Sequence, residues 1–73
     1  MTQNDFLALL QKEIQRENAL HVNDLLEDIP EWDSMAMLVA HNVFDEIGVE
    51  IDIDDLEKCK SIKDILQKAG FDA

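Results

Sequence analysis

Tyrosine is absent from this 73-residue chain, tryptophan occurs once and phenylalanine three times. Leu, Ile, Val, Met and Ala must therefore supply the packing, a set that favours helices over a sheet. The single cysteine, Cys59, excludes an internal disulfide and suits a reducing cytosol. Two glycines, Gly48 and Gly70, do not make a phosphate-cradling loop. No run reaches the roughly 18 to 20 apolar residues of a membrane span, and the start Met1-Thr2-Gln3-Asn4-Asp5 has neither the basic residues nor the apolar run of a signal peptide. A cytoplasmic protein is expected. Basic residues are scarce too, 6 against 17 acidic ones, for a formal charge of −11. Such a field repels phosphate backbones and anionic lipid, which argues against nucleic acid and membranes as partners. It also costs stability through self-repulsion, and either recognition of basic patches or simple solubility can account for it.

At this length the chain is one domain, residues 1–73, and folding buries only about 60% of the surface the unfolded chain exposes. From Thr2 to Arg16 the apolar positions Phe6, Leu7, Leu10 and Ile14 follow the spacing of an amphipathic helix, with Thr2 and Asp5 placed as a capping-box pair. From Glu17 to Asp33 the periodicity weakens. This stretch reads as a long connection anchored by Leu20, Val22, Leu25, Leu26 and Ile29, with a short helical turn around Asp24 to Glu27. Asp33 is a favoured N-cap and Pro30 suits the approach to a helix, so a second helix is expected from Ser34 to about Ile47, closed by Gly48. Its core arc comprises Met35, Ala36, Val39, Ala40, Val43, Phe44 and Ile47, with Met37 at the edge. Ser34, Leu38, His41 and Asp45 share the opposite side, bordered by Asn42 and Glu46.

Val49 to Ile53 alternates like a strand but has no partner run, so an extended connection with Val49, Ile51 and Ile53 turned inward is expected. A short third helix follows at Asp54 to Lys58, with acids early and Lys58 and Lys60 late, as the helix dipole favours. Ser61 and Asp64 open a fourth helix with Ile62, Ile65, Leu66 and Ala69 on one face, closed by Gly70. The expected fold is all-α, a small four-helix bundle with a long loop between helices one and two and a short third helix.

Enzyme chemistry finds little support. His21 and His41 lack matching cysteines for zinc, so no metal ligands are assigned. The cluster Asp52, Asp54, Asp55 and Glu57 lacks the glycine and the bidentate glutamate of a calcium loop and reads as a solvated helix start. Cys59 reads as a packed small hydrophobe. What remains is the Ser34 hydroxyl at the positive end of a helix dipole, where a phosphate ester would find favourable electrostatics. By itself Asp33-Ser34 is also an ordinary cap.

Asp33-Ser34-Met35 resembles the Asp-Ser-Leu signature of acyl carrier proteins. The likeness extends through the order of elements, the Gly48-Val49-Glu50-Ile51 exit and the helix opened by Ser61-Ile62. The resemblance implies a non-enzymatic carrier with a covalent 4′-phosphopantetheine arm on Ser34. A phosphopantetheinyl transferase would install the arm from coenzyme A, and the arm would hold an acyl or aminoacyl group as a thioester. By the same resemblance Asp33 lies near the transferase, and Met37, Leu38, His41, Asp45 and Glu46 meet partner enzymes that load and unload the arm through basic patches. Val39, Val43, Ile62 and Leu66 would line an apolar interior for a short acyl chain. A monomer is expected. Fatty-acid-synthesis carriers usually place an acid two positions after the serine, whereas Ala36, Met37 and Leu38 follow here. The Trp32-Asp33-Ser34-Met35-Ala36 run looks more like discrete carriers of specialised pathways. The alternatives are an acidic interaction module with Ser34 as a cap only and, third, an acidic metal buffer.

Overall fold

Four helices and a single turn of 3₁₀ helix organise the computed structural model, which describes residues 1–72. In chain order these are α1 (Gln3–Glu13), the 3₁₀ turn (Leu26–Asp28), α2 (Ser34–Glu46), α3 (Ile53–Glu57) and α4 (Ile62–Lys68). The fold is all-α. Among the described residues there is no strand, only an isolated bridge between Leu25 and Ser61, and no helix is long and apolar enough to cross a membrane.

The expected caps are in place. Thr2 and Asp5 form a reciprocal capping box, with Asp5 N–H donating to Thr2 Oγ1 at 3.1 Å and Thr2 N–H to Asp5 Oδ2 at 3.3 Å. Ser61 Oγ accepts from Asp64 N–H, but the Asp64 carboxylate reaches one residue further back, to Lys60 N–H at 2.9 Å. Gly48 (φ 81°) and Gly70 (φ 93°) occupy the left-handed position that closes α2 and α4. In each case the following N–H, of Val49 or Phe71, bonds back to the carbonyl of Phe44 or Leu66.

Helix α1 stops at Glu13, short of the expected Arg16, and it stops by the same device without a glycine. Gln15 takes φ 61°, its N–H bonds to Lys12 O, and Arg16 N–H bonds to Gln11 O. The Gln11 side-chain amide then donates to the carbonyls of Arg16 and Glu17. A residue with a Cβ is strained in this region by about 1 kcal/mol or more, so composition alone did not mark the end.

Apolar side chains from all four helices meet in one core. Phe6, Leu10, Ala40, Val43, Phe44, Leu56, Ile62, Ile65 and Leu66 are almost wholly buried, and no buried residue among those described is polar or charged. The Phe6 and Phe44 rings meet edge to face with centroids 5.7 Å apart, and Phe71 lies 5.5 Å from Phe6. Val49, Ile51 and Ile53 are half-buried against this cluster, as the alternating pattern requires.

The long connection is ordered by backbone bonds. Leu26 N–H donates to Lys60 O, while the carbonyls of Asp24 and Val22 accept from Ile62 and Lys63 N–H, which are helix-start donors that would otherwise be orphaned. Leu20, Leu26 and Ile29 are buried and Val22 half-buried, as anchors should be.

Four expectations need correction. Leu25 is exposed (44%), because the segment is extended at the Ser61 bridge and it is Leu26 that turns inward. Met35 is exposed (68%): at 100° per residue it lies roughly 110° from the line through Ala36, Ala40, Val43 and Ile47, outside the face that meets the core. The helical turn falls at Leu26–Asp28, starting two residues and ending one residue later than the expected Asp24 to Glu27. Helix α3 also runs one residue earlier than its expected span, with Lys58 as its C-cap, so no basic residue lies within its last turn.

Two consequences can be measured by urea denaturation. At roughly 0.05 to 0.15 kcal/mol per residue the domain has about 4 to 11 kcal/mol of stability. Phe44→Ala should remove about 3 to 5 kcal/mol of it, whereas Met35→Ala should stay within about 0.5 kcal/mol of wild type. Gln15→Gly, by relieving the left-handed strain, should raise stability by up to about 1 kcal/mol.

Candidate functional site around Ser34

Ser34 is the first residue of α2 and is solvent-exposed. Asp33 is extended (φ −131°, ψ −170°), and its Oδ1 accepts from Ala36 N–H at 2.8 Å. Its carbonyl accepts from Met37 N–H at 3.1 Å, starting the helix ladder. The carboxylate thus holds the first turn, and the serine hydroxyl stands beside the positive end of a 13-residue helix dipole.

Along the same helix Leu38, Asn42, Asp45 and Glu46 are exposed, and Met37 and His41 are half-buried. His41 Nδ1 lies 3.9 Å from Asp45 Oδ2, one helical turn on, a pair that is ionic only when the imidazole is protonated. The structure therefore gathers Ser34, Leu38, His41 and Asp45 on one solvent-facing side, with exposed Met35 adding apolar surface near the serine.

Two open grooves include residues at or just before the start of α2. One, of about 430 Å³, is lined by Leu25, Leu26, Glu27, Trp32, Cys59 and Lys60. The other, of about 370 Å³, includes Ile14, Glu31, Asp33, Met35 and Val39. Of the residues expected to line an acyl chain, half-buried Val39 faces this second groove, while Val43, Ile62 and Leu66 are enclosed in the packed core. Cys59 is buried, its thiol donating to Asp55 O at 3.5 Å. Burial first, and then the Asp64 carboxylate, push that thiol's pKa up, away from the nucleophilic form. Among the described residues no three His, Cys, Asp or Glu side chains are grouped to hold a metal ion.

The site also contains a contact that spacing did not reveal. Arg16 Nη1 meets Glu31 Oε1 at 2.7 Å across 15 residues, the Arg16 side chain being only 15% exposed. Glu31 lies three residues before Ser34. Its carboxyl is held below the usual range by a backbone N–H hydrogen bond and then by the Arg16 guanidinium. A basic residue just after a helix and an acid just before another give no periodic signal, so only the folded chain brings them together.

No family model matches the chain, no curated protein matches it and no solved structure matches it.

The depressed Glu31 pKa gives a pH dependence of definite sign. The pair's contribution is present above the ordinary value of 4.5 and is lost as pH falls through the lower value in the folded protein. Fluorescence of Trp32, the adjacent and sole tryptophan, should show a transition below pH 4.5 that Glu31→Gln removes. An identical transition in that variant would assign it to other carboxyls.

Proposed function

We propose that this chain is an acyl carrier protein, a small four-helix bundle that bears a 4′-phosphopantetheine arm on Ser34 and serves a specialised pathway. The observation carrying this reading is an exposed serine as the first residue of a long helix, capped by the preceding aspartate, beside a solvent face of Leu38, His41 and Asp45. The hydroxyl is open to a modifying enzyme. The helix end favours the phosphate that would be attached. When bound, the arm supplies a thiol that holds an acyl or aminoacyl group as a thioester.

The chain's own residues orient and present that group. Asp33 fixes the first turn of α2, and Met35, Met37 and Leu38 offer apolar contacts. Asp45 and Glu46 draw basic surfaces of the transferase and of the loading and transfer enzymes. Oppositely charged surfaces speed encounter more than they tighten binding, and a tether raises the effective concentration of cargo at a partner's active site. Because Val43, Ile62 and Leu66 are packed, a short or polar cargo suits this carrier better than a long chain held inside it.

Incubation with coenzyme A and a broad-specificity phosphopantetheinyl transferase should add one arm per chain by intact mass, and Ser34→Ala should abolish the gain. A folded wild-type chain that gains no mass with an active transferase would instead be an interaction module in which Asp33-Ser34 is only a cap.

A further inference from the structure

We propose that Arg16 and Glu31 are positioning residues for Ser34: their ion pair latches the turn before the serine to the end of α1 and so sets where a modifying enzyme meets the hydroxyl. This rests on the carrier reading, which itself says nothing of either residue.

The latch has a rigid base. Arg16 N–H is bonded to Gln11 O, and Arg16 O accepts from the Gln11 side-chain amide. Gln15, held at φ 61°, turns the chain so that the arginine leaves α1 in a fixed direction. The guanidinium is mostly covered, and its Nε is buried without a hydrogen-bond partner. Attraction across a partly dried contact is screened less than between exposed charges. A cation left with an unpaired donor there has its charge answered by Glu31 at 2.7 Å.

The other half is close to the serine. Trp32 N–H bonds to Ile29 O, closing a turn that contains Glu31. One residue after the tryptophan, Asp33 caps α2. A shift at Glu31 therefore passes to Ser34 through only Trp32 and Asp33. The sequence adds an electrostatic reason, because from Glu17 to Glu57 there are 13 acids and no lysine or arginine. Glu27, Asp28, Glu31 and Asp33 crowd the approach to Ser34, and Arg16 supplies a cation from outside that stretch. Without it, like charges favour opening of the turn.

The test compares Arg16→Ala, Glu31→Gln, Arg16→Lys and the double swap Arg16→Glu/Glu31→Arg as substrates for arm transfer, at a temperature where all are folded by circular dichroism. If the turn is competent only when latched, each neutral variant should show a KM for arm transfer raised roughly fivefold with kcat unchanged, as a reduced competent fraction requires. Arg16→Lys should lose less than Arg16→Ala, and the swap should recover. Acrylamide quenching of Trp32 should rise in the neutral variants and fall back in the swap. A merely structural pair would lower the unfolding midpoint and leave these kinetics alone. Neutral variants with wild-type KM, or a swap that restores the midpoint but not the KM, would overturn the latch alone. A wild-type chain that accepts no arm would overturn the carrier reading and the latch with it.

Discussion

The edge-to-face contact of Phe6 with Phe44 is the junction on which the domain depends. It joins α1 to the C-terminal half of α2, and Phe71, also against Phe6, brings in the segment after α4. All three phenylalanines of the chain are thus spent on one cluster. The backbone is arranged to serve it, since Phe44 O accepts the bond that closes α2 and Gly70 turns the chain so that Phe71 can reach back. Ser34 lies ten residues before Phe44, about 15 Å along the helix axis at 1.5 Å per residue. The aromatic cluster fixes the far half of α2, and the near end needs its own supports, which are the Asp33 cap and the turn that Arg16 holds.

This division explains what could be read from the chain beforehand. Helices α1, α2 and α4 were legible because each combines a cap with an apolar stripe, both local signals. Glycine marked the ends of α2 and α4 correctly, but α1 closes on Gln15, where side-chain identity carries no such mark. Periodicity names a direction and not a boundary, and Met35 shows the limit: an arc drawn too wide enlists a residue that solvent keeps. In the long connection the determining bonds run from Val22, Asp24 and Leu26 to Lys63, Ile62 and Lys60. They are backbone to backbone across 34 to 41 residues of chain, so no side-chain pattern records them.

The candidate site divides in the same way. Asp33 and Ser34 were legible as neighbours with complementary roles, and the exposed Leu38 and Asp45 followed from rotation along one helix. Trp32 and Cys59, which line one groove with Lys60, come from separate parts of the chain, as do Arg16 and Glu31. Such pairs become visible only when the core has set the distance between α1, the long connection and α3. Within the site, the resemblance to acyl carrier proteins draws only on the local half, Asp33-Ser34-Met35, whereas Arg16, Glu31 and Cys59 belong to the non-local half.

Charge ties the two halves together. Four of the six basic side chains fall between Lys58 and Lys68, and the stretch containing the 3₁₀ turn, α2 and α3 has none. In a domain with so small a core the mutual repulsion of these acids counts against a narrow margin of stability, and it is lowest where the groups face water and salt. Most of them do, with only Asp24, Glu31 and Asp55 half-buried among the acids from Glu17 to Glu57. A basic partner surface that covered α2 would relieve repulsion as well as form new contacts, so part of its attraction would come from strain already present in the free domain. On the carrier reading this suits a protein that must be found quickly by several enzymes and held by none. Encounter would then be driven by a long-range field, with apolar contact limited to exposed side chains such as Met35 and Leu38.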